Sequence, residues 1–566
     1  MRIPLDAAKT SYEFHFRIES LASFCRREWP AIAVCGGGFC LLTLTVILAI
    51  DPAFFYPRLQ TDPLNYWLKA KSLVETGHTS AKWAVNIPPF SYAAMPGVMR
   101  APLLALFRDF DHQLRAVQIL NIPIVAGVAL LSAYVFSWIH PVRRHRWVIA
   151  FAFAFTLMNP IWLSNVFLPL VDAPYALFTL AALILSVRIL CSDASATQRP
   201  LRLLAYAALF ILCFMLRFTA PVLLVYAAVL WRGKHSTEKL ASRRTIFLLA
   251  AAMIGIVILV ALNADAIFGR YLREPLAFLR KGDKPGMILN VAGAAIPSQI
   301  VPNFMQGFIY PTIEGYFHTT FFAVPAQTAW LLVGLALGLT TFIGMWQTRD
   351  KFLPEILYVL AALPVLGLML PSTSRYLKTY QAFIWIFFYS GAAYLYNRYR
   401  NRIPAALRSR TTAIIAIAVS LLMVVGIRAW RFAGTASEKK FAVTAASTPD
   451  YVGDVATTFR SLREYIETLP KEKTLLVAEI GTMGRWKAIA GRDYYWPDST
   501  MAGRLKDKDF YLLIECGTME SCQSWDAWIK KVETRVSRYG AFDYDSVYAI
   551  ARPRARAEVY RIRNAE

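Results

Sequence analysis

Charge is the first thing this chain lacks: only 17% of its 566 residues are Asp, Glu, Lys or Arg, against 57% hydrophobic residues and a mean hydropathy of +0.41. So little charge cannot coat a water-facing surface of this size, which excludes an ordinary soluble globular protein. Strand-like alternation over ten-residue blocks is missing from the apolar runs, so an outer-membrane barrel is excluded as well. The HExxH, P-loop and GxGxxG patterns are missing, and the seven cysteines show no metal-ligand spacing with His, which argues against a zinc protease and against nucleotide-driven chemistry. No internal repeat or low-complexity tract is visible. The first apolar run has no small-residue cleavage site and stands beside Arg26-Arg27, so it is expected to be retained as a helix.

What the chain does have is a succession of apolar runs, each close to the roughly 20 residues that a bilayer requires. They predict helices over 31–50, 116–138, 147–164, 173–190, 202–215, 218–231, 245–264, 324–346, 353–370, 376–396 and 411–430. The expected fold is therefore an all-α polytopic membrane domain of about eleven transmembrane helices over 1–430, followed by a small extracytoplasmic α/β domain over 431–566. Acidic residues number 37 against 61 basic ones, a net charge of +24. The basic residues gather in short tracts between apolar runs, such as Arg143-Arg144-His145-Arg146, which points to membrane topology and away from nucleic acid. With a cytoplasmic N-terminus, the inner segments hold roughly 23 Lys and Arg in about 87 residues, against roughly 15 in about 153 for the outer connections. That asymmetry places the tail outside.

Two outer connections are long, 51–115 and 265–323, and long loops with amphipathic character carry function. The first reads as two helices lying along the membrane, 63–75 ending at Gly77 and 89–107. The tail combines predicted helices near 455–468 and 524–539 with strand-like stretches at 474–478, 510–514, 546–551 and 557–562. Cys516 and Cys522 lie close together there and are a disulfide pair if the compartment is oxidising; reduced thiols are the alternative.

Several charged residues stand at the outer ends of the predicted helices. Asp62 precedes Pro63 in Thr61-Asp62-Pro63-Leu64-Asn65-Tyr66-Trp67, and Asp172 closes Asn165-Val-Phe-Leu-Pro-Leu-Val-Asp172-Ala-Pro174. Each is open to two readings, a helix cap or an acid held at the headgroup level to meet a substrate. Arg217, Arg375 and Lys378 also lie outside, against the charge bias. They are either phosphate-binding cations or snorkelling anchors.

The order of these features resembles a known family. An acid after the first helix, Tyr66 four residues on, Ala70-Lys71-Ser72-Leu73, Gly77, Pro88-Pro89 and Arg115 opening the second helix are similar to the membrane-embedded GT-C glycosyltransferases. The branch resembled contains the protein O-mannosyltransferases and the lipid A aminoarabinose transferases. The likeness continues in Leu216-Arg217-Phe218-Thr219-Ala220, in Ser374-Arg375-Tyr376-Leu377 and in the tail at Gly484-Arg485-Trp486. It implies an inverting transfer of sugar from a polyprenyl-phosphate carrier to an envelope glycan, lipid or protein acceptor, on the outer face of a bacterial inner membrane. By carry-over Asp62 is the general base, and Asp172 a second acid that orients substrate or a divalent cation. Tyr66 lines the cavity and Tyr376 binds substrate, while Arg217, Arg375 and Lys378 meet the lipid phosphate. The aminoarabinose transferases carry a Lys immediately before the Pro-Pro pair, where this chain has Ile87; the nearest Lys, Lys82, is the substrate-binding candidate in its place. Asp62 is followed by Pro63, so the doubled acid of many relatives is missing. The competing function is a transporter or flippase for a lipid-linked glycan, which would favour repeated halves and broken helices. A catalytically inactive scaffold that binds through its tail is a further alternative.

Overall fold

The computed structural model describes residues 20–59, 61–82, 84–86, 95–139, 146–157, 160–191, 198–217, 220, 222–235, 324–369, 380–399, 449–478, 484–516, 525–553 and 555–564. It is mostly helical, with one small sheet near the C-terminus. The helices are α1 Leu21–Arg27, α2 Trp29–Ala49, α3 Thr61–Thr76, α4 Met95–Leu106, α5 Phe110–Phe136, α6 Arg146–Leu157, α7 Pro160–Phe167, α8 Asp172–Cys191, α9 Gln198–Leu216, α10 Val222–His235, α11 Val324–Met369 and α12 Gln381–Tyr399. Then come α13 Pro449–Thr468, β1 Thr474–Val477, α14 Arg485–Ala490, α15 Met501–Arg504, β2 Asp509–Cys516, α16 Trp525–Val536, β3 Phe542–Arg552 and β4 Ala555–Asn564. Among the described residues three helices are long and apolar enough to cross a membrane: α2, α5 and the 172–189 part of α8. The predicted spans 245–264 and 411–430 lie outside the described residues.

The chain divides into two compact units. One comprises residues 1–42, 122–165 and 171–419, the other 43–121, 166–170 and 420–566. In the first, helices pack through aromatic and small residues. Trp385 stands edge-on to Phe136 and Phe155, with centroids 5.8 and 5.9 Å away. The backbones of α11 and α12 touch, because a Cβ on Gly344 would fall 1.7 Å from the Phe387 carbonyl oxygen and one on Gly391 1.8 Å from that of Thr340. Close approach through glycine is how helices gain dispersion contacts where lipid supplies no hydrophobic drive. The apolar runs predicted as 324–346 and 353–370 form a single helix interrupted at Phe352, whose φ of −123° and ψ of 27° leave the helical region. Pro354 follows two residues later, and a proline inside a helix removes a backbone hydrogen bond and crowds the preceding turn, which kinks the helix there.

In the second unit, α13 shows why the tail folds. Val455, Phe459, Leu462 and Ile466, all fully buried, recur at helical spacing and give one apolar stripe. The sheet has the order β1-β2-β4-β3, with β1 and β2 parallel and the other pairs antiparallel. Its central strand β2 is buried along Phe510 to Cys516, and Leu475, Val477, Phe510, Leu512, Ile514, Trp525 and Ile562 form the core. The β3–β4 hairpin carries an irregularity between Ser546 and Tyr548, and the Tyr548 ring stacks on Tyr465 of α13 at 4.4 Å.

In the same unit, α3 packs against α4. Gly97 allows the approach, since a Cβ there would come within 2.9 Å of the Lys69 Cβ and 3.0 Å of the Ala70 nitrogen. The segment that follows α3 is stitched to the tail by Asn86. Its amide donates to the Trp496 carbonyl and the Asp498 carboxylate, both at 2.7 Å, and its oxygen accepts from the Trp496 N–H at 2.9 Å.

Candidate functional site

Asp172 opens α8 and is 4% exposed. The cap of that helix comes from elsewhere: the Asn165 side-chain oxygen accepts the Ala173 N–H at 3.0 Å. Asp172 instead turns Oδ1 to the Arg217 guanidinium, which lies just past the end of α9 and hydrogen-bonds to it. Asp172 is therefore the first residue of α8 and an ion-pair partner of Arg217, not the cap of the helix. The Arg217 guanidinium also lies 5.8 Å from the centre of the Tyr175 ring, one turn along α8. Asp172 Oδ2 is buried and has no hydrogen-bond partner among the described residues. A buried carboxylate oxygen without a donor is costly, and ionisable pairs inside apolar helix bundles mark substrate or ion paths.

The first unit carries further polar groups. The Tyr226 hydroxyl donates to Glu355 at 3.1 Å, and the Trp162 indole donates to Gln381 at 3.3 Å. Tyr358 lies 5.1 Å from Tyr380 and 5.7 Å from Tyr226, ring to ring. Glu355, one residue after Pro354, was invisible as a candidate in sequence because it sits alone in an apolar run.

In the second unit, α3 begins at Thr61, which puts Asp62 inside the first helical turn rather than ahead of it. Helical spacing sets positions 62, 66 and 69 on one face. Tyr66 is buried and Arg100 from α4 lies over its ring at 5.6 Å. Arg100 is itself 5% exposed and donates to the carbonyls of Pro96 at 2.8 Å and Leu170 at 2.7 Å. Burial lowers the Lys69 ammonium to about 8 and the Arg100 guanidinium to about 10, because a low dielectric penalises the charged form. Two buried cations therefore attend the Asp62 helix, and neither was singled out in sequence. Only their burial, set by the α3–α4 contact, distinguishes them from surface residues.

Lys82, by contrast, is exposed. Arg375, Tyr376 and Lys378 lie outside the described residues, as does Cys522, while Cys516 is disulfide-bonded. A divalent cation fits the Asp172 environment poorly: the adjacent Arg217 guanidinium already neutralises the carboxylate and would repel a second cation. Among the described residues no group of three or more His, Cys, Asp or Glu is placed to hold a metal.

The comparisons with known proteins come from structure alone. No protein-family model matches the chain, and no curated protein matches its sequence. Among solved structures it is similar to ArnT from Cupriavidus metallidurans in the apo state, at 12% identity and a TM-score of 0.47, covering 92% of this chain and 98% of that one. The same protein bound to undecaprenyl phosphate gives 13% identity and a TM-score of 0.44 over the same shares. The archaeal oligosaccharyltransferase AglB from Archaeoglobus fulgidus, in complex with an inhibitory peptide and a dolichol-phosphate, gives 12% and 0.43, covering 92% of this chain and 74% of that one. At such scores the functional reading rests on the residues of this chain.

Two further clusters escaped the sequence reading. Arg463 of α13 reaches Asp109 at 3.0 Å, Asp111 at 3.3 Å, Glu467 at 2.8 Å and the Tyr56 hydroxyl at 2.8 Å. Burial raises the Asp111 carboxyl above its usual range despite the hydrogen bond from Tyr56. For Asp109, burial is outweighed by hydrogen bonds from Arg463 and His112, and its carboxyl is held low. The second cluster is Arg485 with Glu515, both buried, to which the Trp486 indole adds a bond at 3.0 Å. Arg485 also donates to the carbonyls of Pro57 at 2.9 Å and Leu59 at 3.4 Å, close in sequence to Asp62. Arg485 and Trp486 belong to a tail motif quoted above for resemblance, but nothing in their spacing announces a partner on β2.

Proposed function

We propose that the protein is a membrane-embedded glycosyltransferase of the GT-C kind that moves a sugar from a polyprenyl-phosphate carrier to an acceptor at the outer membrane boundary, with inversion at the anomeric carbon. The observation that carries this reading is the buried Asp172–Arg217 pair. It joins residues 45 positions apart that the sequence resemblance had named independently, one as acid and one as phosphate-binding cation.

In this reading Asp62 takes the proton of the acceptor hydroxyl as it attacks the anomeric carbon, and the carbon–oxygen bond to the lipid phosphate breaks. The departing phosphate gains negative charge, and preorganised cations in a low-dielectric setting stabilise such charge strongly. Arg217 is one such cation; Lys69 and Arg100, on and beside the Asp62 helix, take the place expected of Lys82. Arg375, Lys378 and Tyr376 keep their roles in donor binding, and Tyr66 lines the cavity with its ring against Arg100. Asp172 orients Arg217 through one oxygen and offers the unpartnered other to a substrate hydroxyl. The activity of purified protein is read as release of polyprenyl phosphate from a polyprenyl-phosphate sugar. Asp62→Asn is expected to abolish release at unchanged expression, a loss of at least about 100-fold; normal turnover by that variant refutes the base assignment. A flippase would move the intact lipid-linked glycan between leaflets and release nothing.

A further inference from the structure

The second unit contains a cleft of about 490 Å³ that the chemistry above does not use. Its volume lies in the roughly 300–1,000 Å³ range of small-molecule sites. Three pieces of chain form it: the last turns of α3 with Lys71, Val74 and Glu75, the α4–α5 junction with Leu104 to Phe110, and the tail with Arg463, Glu467 and the end of α14. On α3, positions 71, 74 and 75 stand on the face opposite 62, 66 and 69, so this cleft is separate from the proposed reacting centre.

Its walls alternate in character. Charges are balanced, Lys71, Arg108 and Arg463 against Glu75, Asp109 and Glu467. Arg463 is spent on its carboxylate partners and Lys71 donates to the Lys487 carbonyl at 3.0 Å. Arg108 is exposed and makes no hydrogen bond or ion pair among the described residues. Glu467 is held through Oε1 by Arg463 at 2.8 Å. Val74 and Phe107, 42% and 38% exposed, add apolar surface beside buried Leu104 and Ile489. A phosphate would meet three carboxylates here, and a purely apolar ligand would strand six charged groups. A saccharide meets both demands, since its hydroxyls both donate and accept while its ring C–H faces cover apolar and aromatic surface.

We infer that this cleft is a saccharide-binding site that holds sugar units of a glycan acceptor remote from the reacting hydroxyl. The inference rests on the glycosyltransferase reading for the word acceptor, but its test needs no donor. Saturation-transfer NMR on the full-length protein in detergent is run with maltotetraose and chitotetraose as neutral probes and sodium pyrophosphate as the anionic one. At least one tetrasaccharide is expected to receive saturation at its ring protons, undisturbed by pyrophosphate. Ala105→Trp, which fills the cleft from an exposed helical position, and Arg108→Glu, which removes its unengaged donor, are each expected to weaken that binding about tenfold or more. Two variants at exposed positions guard against a folding artefact in either. The inference is overturned if neither tetrasaccharide binds, if pyrophosphate displaces the sugar, or if both variants bind as the parent does. Failure of the enzyme reading is seen separately, as a parent protein that binds sugar and releases no polyprenyl phosphate.

Discussion

Asp172 and Arg217 illustrate what a buried ion pair does and does not contribute. Removing one partner strands the other in a low dielectric and costs about 3–5 kcal/mol, whereas neutralising both together is far better tolerated. Arg217→Met is therefore expected to lower the yield and melting temperature of detergent-purified protein. The double variant Asp172→Asn/Arg217→Gln is expected to recover most of that loss without recovering polyprenyl-phosphate release. A double variant that stays unfolded, or one that turns over, contradicts the assigned roles. Lys69 offers a pH signature. Its folded-state pKa of about 8 lies below the ordinary lysine value of about 10.4, so the unfolded chain binds more protons between the two. The penalty on stability is then full below pH ~8 and fades as pH rises towards ~10.4. Lys69→Met should exceed the parent in melting temperature by a margin that narrows across that window. A margin independent of pH would show that Lys69 is not buried as an ammonium.

At the scale of elements, the helices over the described apolar runs were legible because a helix that must satisfy its own backbone in lipid needs a long stretch of apolar side chains. The α13 stripe and the four strands of the tail were legible for the same kind of reason, a period of about 3.6 or of 2. Less legible were the segments whose conformation depends on neighbours. Residues 32–36 of α2 form a π-helical turn, and 52–58 a 3-10 helix capped by Asp51, whose carboxylate accepts the Ala53 N–H at 2.9 Å. Neither has a periodicity of its own. Glycines 344 and 391 likewise read as ordinary small residues until α11 and α12 are seen in contact. Gly391→Ala should force those helices apart and reduce the folded yield sharply, with Gly338→Ala, whose Cβ would meet nothing within 4 Å, as the tolerated control. Equal yields from the two would mean the helices do not pack through these glycines.

Across the whole molecule, distant stretches of chain converge on single charged side chains. Arg485 links β2, through Glu515, to carbonyls 426 and 428 positions earlier. Burial raises the Glu515 carboxyl even against the pull of Arg485 and Trp486, so the pair is held at a desolvation cost. Arg485→Ala is expected to destabilise by about 3–5 kcal/mol, and Arg485→Leu combined with Glu515→Leu by less. Limited proteolysis of the 51–60 region and thermal melts read the two effects; a double variant no better than the single one would show that the carbonyl contacts, not the charge pair, matter most.

The sequence by itself determined the class of this protein: apolar runs of membrane length, a basic excess gathered in short tracts, and an α/β tail. All of these are statements about neighbours along the chain, and local periodicity carries them. Which polar side chains meet was decided only in three dimensions. Asp172 finds Arg217, Tyr66 lies under Arg100, and Arg463 gathers Asp109 and Asp111 because burial and pairing depend on how helices pack. Residues far apart in sequence share no pattern that would announce it.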